Sequence, residues 1–349
     1  MSQKIMFFTP SLNVGGMERI SLTYAKALSK KYSTTYVVCH INGAFTQEVD
    51  SSINLINLNT GRLKHSVNHL ARVIKTINPS YIITANDATM IVVMSKWMAR
   101  STVRIISFQH SYITDEESNT LRSKLIIKFF FRFCYKIIAV SHGINRMLTR
   151  LGLSPYKVKT ILNPIDFERI MVRSNDNVEV PDRYIVFVGR LSPVKNLQFL
   201  IEAYNVYLKL RGTLKLVIVG DGVEKNKLIS LSRHLGISDF VLFMGEQCNP
   251  YPIINKATIV VLPSLSEALP TILIEALVLG KTIVATPTEG AKEILQYKYG
   301  YITNSFDDKE EFANLIIKAE NNSIPSCMLH EVLSNYDINS RIKDFESVL

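Results

Sequence analysis

The stretch LPSLSEALPTILIEALVLG, residues 262–280, joins a buried strand to a helix through a short polar loop. The apolar run Ile259–Leu262 predicts the strand, and Pro270 is suited to the first turn of the helix that follows. Apolar runs without polar alternation are typical of parallel sheets that are covered on both faces. This stretch therefore predicts an α/β fold, and the rest of the chain repeats its pattern.

Short apolar runs alternate with helical periodicity along the whole chain. The runs in the second half are YIVFVGR, LKLVIVGDG, FVLFMGE, TIVVLPS and TIVATP. In the first half, strands are predicted at Lys4–Thr9, Thr35–Cys39, Tyr81–Ala85, Arg104–Phe108 and Lys136–Ser141, with helices such as Met17–Ser29 and Ser66–Ile77. Two such blocks predict two doubly wound, Rossmann-like parallel-sheet domains, with ligands beyond the carboxyl ends of the strands.

The length of 349 residues suits two domains of about 150–180 residues. We expect an N-terminal domain over residues 1–170 and a C-terminal domain over residues 183–325. The polar stretch MVRSNDNVEVPD, residues 171–182, is interpreted as the linker between them. The final residues, 326–349, have a helical pattern and are expected to cross back to the first domain.

The loop and helix in residues 262–280 form a candidate phosphate site. The start of a helix directs free backbone amides, here those of Leu269 and Thr271, at whatever lies in front of it. Glu267 in the loop could accept hydrogen bonds from sugar hydroxyls, and Glu275, eight positions on, from a ribose diol. A purely structural role stays open for each carboxylate, because acidic residues near a helix start are favourable in any case.

Two further loops have residues that suit a bound diphosphate. In VGRLSPVKN, residues 188–196, Arg190 and Lys195 supply two cations before a helix. In LNVGGMER, residues 12–19, Gly15 and Gly16 let the backbone approach a ligand closely. Neither a G-x-G-x-x-G fingerprint nor a G-x-x-x-x-G-K-[ST] loop is present, which disfavours a dinucleotide oxidoreductase and a P-loop enzyme.

The formal net charge of +10 is carried by the first half of the chain. Residues 1–170 contain 22 Lys and Arg against 9 Asp and Glu, whereas the remainder contains 18 against 21. An anionic partner for the first half is therefore expected, either nucleic acid or an acidic membrane surface. Nucleic acid is disfavoured because the aromatic residues gather in apolar runs instead of interleaving with the cations.

The four cysteines are scattered and predict neither a zinc site nor a disulfide framework, so a reducing cytoplasm is expected. The N-terminal apolar run is too short for a signal peptide, and no stretch approaches the roughly 18 apolar residues of a spanning helix. A soluble or peripheral protein is the prediction.

The segment LRSKLIIKFFFRFCYK, residues 121–136, is the candidate membrane contact. Lys124, Lys128, Arg132 and Lys136 recur every four residues, so on one helix they would form a cationic stripe beside an aromatic face. This pattern predicts an interfacial helix on anionic lipid, with the four cations facing the membrane. A buried helix with one solvated face has the same periodicity and stays an alternative.

Taken in order, the motifs resemble those of the family 4 glycosyltransferases of the two-domain GT-B type. They are G-G near the N-terminus, S-F-Q-H, V-S-H-G, N-P-I-D, G-R-L-x-x-x-K-N, G-D-G and E-x7-E. The resemblance covers nearly the whole chain, and residues 245–277 are similar to enzymes that build O-antigen or capsular repeat units. It implies two domains that face each other across a cleft, the first on the acceptor side and the second binding the nucleotide-sugar.

The resemblance also implies roles for individual residues. Arg190 and Lys195 would bind the donor diphosphate, Glu275 the ribose and Glu267 the transferred sugar. Among the other residues that it implicates, Gly16 would close on the phosphates, backbone groups around Gly245–Gln247 would frame the base, and His110 would point at the sugar and the acceptor.

Two site assignments stay open at the level of sequence. His142 ends the next predicted strand and rivals His110 as the residue at the reaction centre. The loop reads S-E-A-L-P where many relatives have E-G-F, so the identity of the sugar cannot be inferred from it.

The resemblance implies transfer with retention of anomeric configuration. The donor would be a nucleotide-sugar that carries a hexose or N-acetylhexosamine, with uridine as the base. The segment of residues 121–136 and the basic first half suggest that the acceptor is a membrane-associated, polyprenyl-diphosphate-linked saccharide. No cofactor and no metal are expected, since no D-x-D motif is present and the cations would replace a metal. The alternatives are a nucleotide-sugar 2-epimerase and a non-catalytic nucleotide-sugar-binding protein.

Overall fold

The chain divides into two compact units, each with its own parallel sheet. The computed structural model describes residues 3–13, 15–41, 43–113, 121–296, 298–322 and 329–349. The first unit contains Met1–Pro164 together with Ile338–Leu349, and the second contains Ile165–Asp337. The first unit is therefore built from two separate stretches of sequence.

The first unit has a seven-stranded parallel sheet, in the order β3-β2-β1-β4-β5-β6-β7. Its strands are β1 (Lys4–Thr9), β2 (Ser33–Val38), β3 (Asn54–Asn57), β4 (Tyr81–Ala85), β5 (Arg104–Gln109), β6 (Lys136–Ala139) and β7 (Val158–Thr160). Buried apolar side chains fill both faces of the central strands, which is why these strands read as continuous apolar runs. The strand order reverses between β1 and β4, and this reversal is the topological switch point of the unit.

In the described residues, the α-helices that connect these strands are α1 (Gly16–Ser29), α2 (Val67–Ile77), α3 (Ala88–Ala99), α4 (Leu121–Phe131) and α5 (His142–Arg150). Helix α2 shows why they form. Leu70, Ala71 and Ile74 recur at helical spacing and are buried, while the neighbouring residues Arg72 and Lys75 are exposed.

The second unit has a six-stranded parallel sheet, in the order β10-β9-β8-β11-β12-β13. Its strands are β8 (Tyr184–Val188), β9 (Lys215–Val219), β10 (Val241–Gly245), β11 (Ile259–Leu262), β12 (Thr282–Ala285) and β13 (Tyr301–Ile302). Its helices are α6 (Phe167–Arg173), α7 (Leu197–Lys209), α8 (Lys225–His234), α9 (Tyr251–Lys256), α10 (Thr271–Val278), α11 (Glu289–Leu295), α12 (Lys309–Asn321) and α13 (Leu329–Ser334). The strand order reverses between β8 and β11.

The last helix, α14 (Ile338–Glu346), returns to the first unit. Its Phe345 is fully buried, with ring centroids 4.8 Å from Tyr24 and 5.3 Å from Phe108. The hydroxyl group of Tyr81 donates a hydrogen bond to the carbonyl oxygen of Leu349. An aromatic core contact and a polar contact thus hold the end of the chain against the first sheet.

The expected domain boundaries need correction at both ends of the second unit. Residues 171–182 are not a linker, because α6 and the residues after it belong to the second unit. The side-chain amide of Asn249 donates to the carbonyl oxygen of Arg173, 2.9 Å away, and to Asp176 Oδ2, 2.7 Å away. The stretch is polar because its side chains face solvent, while its backbone is bound to the unit.

The predicted final helix, residues 326–349, is also wrong as a single element. Helix α13 stays with the second unit, and only Ile338–Leu349 belongs to the first. Asn335 and Tyr336 form a turn between α13 and α14, which the helical periodicity of the flanking residues does not reveal.

The predicted cationic stripe of residues 121–136 does not lie on one helix. Helix α4 ends at Phe131, so Arg132 lies in the turn that follows it and Lys136 begins β6. The ammonium group of Lys136 donates to the carbonyl oxygen of Tyr156, 2.6 Å away. The four-residue spacing therefore continues across the end of a helix. The side chain of Lys124 lies outside the described residues.

Replacing Phe345 with alanine is expected to destabilise the first unit by about 3–5 kcal/mol, because it leaves a cavity against Tyr24 and Phe108. Hydrogen exchange followed by mass spectrometry should show faster exchange in α1 and β5, while β8 keeps its protection. Lys343→Ala, at an exposed position of the same helix, is the control. Equal exchange in the two variants would contradict the assigned packing of α14.

Candidate functional site

In the second unit, three loops at the carboxyl edge of the sheet are packed so closely that they require glycine. Gly220, after β9, has φ +134°, and a Cβ atom there would lie 1.9 Å from the carbonyl oxygen of Gly189, after β8. The amide of Gly220 donates to the carbonyl oxygen of Gly245 at the end of β10, 2.7 Å away. The amide of Leu191 donates to Asp221, 2.9 Å away. These contacts fix the loop that carries the predicted diphosphate ligands.

Lys195 and Glu267, which are far apart in the sequence, meet at this edge. Lys195 ends a 3₁₀ turn, Pro193–Lys195, directly before α7, and Glu267 lies in the loop between β11 and α10. The ammonium nitrogen of Lys195 is 2.5 Å from Glu267 Oε1, and the two side chains are 23% and 12% exposed. The structure thus brings together the predicted phosphate ligand and the predicted sugar ligand as a partly buried ion pair.

The loop that carries Glu267 packs against the backbone of Gly290, near the start of α11. The amide of Gly290 donates to the carbonyl oxygen of Glu267, 3.0 Å away. A Cβ atom at Gly290 would lie 2.6 Å from Pro270 Cδ and 2.8 Å from the carbonyl oxygen of Glu267. Sequence reasoning missed Gly290, although it stands just after the run TIVATP, where a glycine following a buried strand signals a close approach.

Helix α10 begins one residue later than predicted, at Thr271, with Pro270 as its N-cap. Leu269, whose amide was predicted to face a phosphate, is buried in the loop before it. Glu275 is the fifth residue of the helix and is half-buried, about one turn from its start. The first amides of the helix and the carboxylates of Glu267 and Glu275 thus lie along one strand–loop–helix segment, and Lys195 reaches this segment from the loop after β8.

Arg190 and the predicted base-binding residues lie at the same carboxyl edge. Arg190 follows Gly189 and its side chain is exposed. Gly245 has φ +69° and ends β10, the edge strand of the sheet. The side-chain amide of Gln247 donates to the carbonyl oxygen of Met244, 3.0 Å away, which fixes it against its own loop.

In the first unit, the glycine turn stands at the switch point between β1 and β4. Gly15 is the N-cap of α1 and Gly16 is its first residue. Gly15 has an extended backbone, with φ −175° and ψ 153°, and a Cβ atom there would lie 2.3 Å from the carboxylate oxygen Oε2 of Glu18. The start of α1 thus stands at the edge where a ligand of a doubly wound sheet binds, with the carboxylate of Glu18 beside it.

His110 is tied to this switch point through Asn86, which sequence reasoning did not single out. Asn86 follows β4 with φ 45°, and its Oδ1 accepts a hydrogen bond from the amide of His110, 2.9 Å away. Its side-chain nitrogen is 3.6 Å from the sulfur of Met17, in the first turn of α1. The sequence feature that could have identified Asn86 is its position as a polar residue directly after the buried strand Tyr81–Ala85.

The imidazole of His110 is kept neutral by its surroundings. It is half-buried and stacks on Phe108, with ring centroids 5.8 Å apart. Burial lowers the pKa of His110 from the ordinary 6.5 to about 4. A neutral imidazole near pH 7 can donate one hydrogen bond and accept another. His142, by contrast, is exposed as the first residue of α5, and the choice between the two stays a prediction.

Among the residues that the structure describes, no group of three or more His, Cys, Asp and Glu side chains could hold a metal ion. In the same ranges, no helix is both long enough and apolar enough to cross a membrane.

Two family models match consecutive parts of the chain. The one described as Glycosyltransferase Family 4 matches residues 14–169, and the one described as Glycosyl transferases group 1 matches residues 171–338. Their boundary lies close to the boundary between the two units.

Relatives of similar length come from bacterial glycan synthesis. A Campylobacter jejuni protein, N-acetylgalactosamine-N,N'-diacetylbacillosaminyl-diphospho-undecaprenol 4-alpha-N-acetylgalactosaminyltransferase, is 26% identical over 92% of this chain and 92% of its own. A second C. jejuni protein, an alpha-1,4-N-acetyl-D-galactosaminyltransferase named for a diNAcBac-PP-undecaprenol glycan, is 28% identical over 98% and 94%. The Staphylococcus aureus capsular polysaccharide biosynthesis glycosyltransferase CapH is 24% identical over 84% of each chain.

Solved structures share the fold over the whole chain. Anabaena HepE, crystallised with UDP and glucose, has a TM-score of 0.84 at 20% identity and covers 99% of this chain and 98% of its own. The sucrose-phosphate synthase of Thermosynechococcus elongatus has a TM-score of 0.82 at 15% identity, with coverages of 99% and 98%. At these identities the likeness concerns the fold alone.

The imidazole of His110 is expected to titrate near pH 4. Since the unfolded chain takes up this proton near pH 6.5 and the folded chain does not, the stabilisation from a neutral His110 is complete above pH 6.5. It is lost as the pH falls from 6.5 towards 4. Two-dimensional NMR of the histidine side chains, with His110→Asn to assign the resonance, measures the midpoint. A midpoint at pH 6 or above would contradict the buried, neutral ring.

The motifs, the two sheets and the comparisons agree. The matched models together cover both units, and the residues of the ordered motifs lie at the carboxyl edges of the two sheets. The chain belongs to the family 4 (group 1) glycosyltransferases and has their two-domain GT-B fold.

Proposed function

We propose that this glycosyltransferase moves a hexose or N-acetylhexosamine from a UDP-sugar to a polyprenyl-diphosphate-linked saccharide, with retention of configuration, in the synthesis of a surface polysaccharide. The observation that carries the proposal is the pair Lys195–Glu267, which stands beside the start of α10 at the carboxyl edge of the second sheet. The C. jejuni relatives, named for undecaprenol-linked acceptors, support the acceptor class.

In this proposal the donor diphosphate binds Arg190, Lys195 and the first amides of α10. An ammonium group has three donors, so Lys195 can contact a phosphate while it keeps its bond to Glu267. Glu267 would then accept hydrogen bonds from the transferred sugar, and Glu275 from the ribose. The ion pair serves to hold both groups in place before the donor arrives.

The proposed reaction breaks the bond between the anomeric carbon and the diphosphate oxygen, through an oxocarbenium-like state. The acceptor hydroxyl attacks the face that the diphosphate leaves and passes its proton to the departing diphosphate oxygen, and the electrons of the broken bond leave with the diphosphate. Negative charge therefore builds on the leaving group, beside Arg190, Lys195 and the positive end of α10. We propose that these groups suffice without a metal ion. Transfer that stops when a chelator is added would contradict this.

Lys195→Ala is expected to reduce transfer by about 10²–10³-fold, because it removes one preorganised cation from the leaving group. Purified protein is first screened by thermal shift against UDP-, GDP- and ADP-sugars, and the stabilising donor is then assayed with lipid-linked acceptors. Lys209→Ala, at an exposed position of α7, is the matched control.

Normal transfer by Lys195→Ala would exclude the assigned site. Release of free epimerised donor without any transfer would instead indicate the epimerase, and donor binding without turnover would indicate a non-catalytic binding protein.

The proposed membrane contact lies on α3, on α4 and on the turn after α4 in the first unit. We call it the α3–α4 surface, and its side chains are between 40% and 57% exposed: Met94, Trp97, Met98, Leu125, Ile126, Phe129 and Phe133. The indole ring of Trp97 lies 4.8 Å from Phe133 and 6.3 Å from Phe129, so the aromatic groups form one cluster. Such a concentration of exposed apolar groups marks an interaction surface.

Cations border the α3–α4 surface, which favours an anionic bilayer as its partner. Arg132 is exposed at the end of α4, and Lys128 on α4 is half-buried. Helix α2 packs against α3, and α2 with the turn before it has a further set of exposed basic groups: Arg62, Lys64, His65, His69, Arg72 and Lys75. Apolar groups flanked by cations suit the boundary between acyl chains and acidic headgroups. We therefore propose peripheral attachment to the cytoplasmic face of the plasma membrane.

Replacing both Trp97 and Phe133 with serine is expected to lower binding to phosphatidylglycerol vesicles at least tenfold. The change removes two aromatic side chains that would be buried in the lipid. Flotation of the purified chain with these vesicles measures the bound fraction. Phe240→Ser, at a similarly exposed position of the second unit, is the control. Undiminished flotation of the double variant would remove the α3–α4 surface as the membrane contact.

A further inference from the structure

We propose that the second unit has a second saccharide site, a cavity beside the Lys195–Glu267 pair that accepts neutral, hydroxyl-rich sugar rings. The cavity has a volume of about 850 Å³ and lies between the start of α7, the loop after β13 and the start of α12. Its walls include Gln198, Glu202, Leu265, Asn304, Phe306 and Lys309. This inference goes beyond the proposed transfer reaction, which does not require it.

The polar part of the cavity lining is centred on the carboxylate of Glu202, which accepts hydrogen bonds from two neighbouring side chains. Lys309 Nζ is 2.7 Å from Glu202 Oε2, and the side-chain amide of Gln198 donates to Glu202 Oε1, 3.1 Å away. Partial burial raises the pKa of Glu202, but the hydrogen bonds from Lys309 and Gln198 outweigh it and keep the pKa below its usual range. A carboxylate flanked by an ammonium and an amide can accept from one hydroxyl of a vicinal pair while its neighbours donate to the other.

The remaining lining includes apolar side chains. The side chain of Leu265 is about half exposed, Phe306 is half-buried, and Phe199 closes the floor against Phe312, with ring centroids 5.4 Å apart. A sugar ring presents hydroxyl groups at its rim and C–H groups on its faces, so it needs polar and apolar walls together. Pockets that combine an apolar lining with a few fixed polar groups are the usual form of small-molecule sites.

The charges of the cavity disfavour a second phosphate or nucleotide site. Glu202 and Asp307 supply two carboxylates against the single ammonium of Lys309. A diphosphate would bring further negative charge to a wall that is already anionic on balance, which costs free energy. The ligand class that matches both the charge and the apolar wall is a neutral saccharide.

The walls are fixed by hydrogen bonds within the unit. The backbone amide of Asn304 donates to Glu311 Oε2, 2.9 Å away. The side-chain amide of Asn196 donates to the carbonyl oxygen of Phe306, 3.3 Å away, and the hydroxyl of Thr303 donates to Ser305, 2.6 Å away. The loop after β13 is thus preformed, so binding would not require it to become ordered.

The cavity shares two loops with the Lys195–Glu267 pair, so an experiment must separate the two sites. Asn196 follows Lys195 directly, and Leu265 stands two residues before Glu267. Saturating UDP would occupy the donor site of the proposed function and leave the cavity accessible. Saccharide binding in the presence of UDP is therefore the decisive measurement.

The full chain is examined by saturation-transfer NMR with N,N′-diacetylchitobiose as the probe, with and without excess UDP. We expect binding with a Kd of about 1–10 mM that UDP does not abolish, since a shallow site with few polar groups binds weakly. Glu202→Gln and Phe306→Ser should each raise this Kd at least tenfold. Glu310→Gln, on α12 but outside the cavity wall, should leave the Kd unchanged.

Three outcomes would overturn the inference: no saturation transfer to the probe, displacement of the probe by UDP, or wild-type affinity in both cavity variants. Circular dichroism of each variant shows whether it is folded. If one of the two cavity variants does not fold, the other still tests the site. The result is independent of turnover, because Lys195→Ala tests the transfer reaction and should still bind the probe.

Discussion

The ion pair between Lys195 and Glu267 joins the loops that follow β8 and β11, the two strands at which the order of the second sheet reverses. Each loop is held independently, the first by the contact of Gly220 with Gly189 and the second by Gly290 beneath Glu267. The closeness of these backbones sets the position of the two charges. A side chain at Gly220 or Gly290 would clash with the neighbouring backbone, move one of the loops and separate Lys195 from Glu267. The position of the ion pair therefore depends on these two glycines.

The same arrangement occurs in the first unit with different residues. There the reversal lies between β1 and β4, where Gly15 and Gly16 begin α1 and Asn86 binds the backbone of His110. In both units a loop that leads into a helix stands beside a polar residue that follows the neighbouring strand. Parallel strands collect their carboxyl ends at one edge, so a doubly wound sheet brings such residues together whatever their distance in the sequence.

The sequence predicted most of the strands, because these are short apolar runs, and β1 and β4 have the predicted bounds, Lys4–Thr9 and Tyr81–Ala85. It missed β3, β7 and β13, which are only two to four residues long. It could not show that Lys195 and Glu267 form an ion pair, since 72 residues separate them and only the sheet order makes them neighbours. The cationic stripe failed for a related reason. Spacing alone does not reveal that α4 ends at Phe131, before two of its predicted cations. The saccharide cavity was missed because its walls come from several separate segments.

Helix α14 makes the first unit discontinuous, and this affects the order in which the protein can be built. Residues 1–164 leave the ribosome first, but Tyr24 and Phe108 are covered by Phe345 only after residues 165–337 have been synthesised. The usual rule that the N-terminal domain of a chain completes its folding first therefore does not hold for this one. Until residues 338–349 are synthesised, the first unit exposes an aromatic surface that a chaperone could bind, and the second unit is the one that can reach its native state earlier.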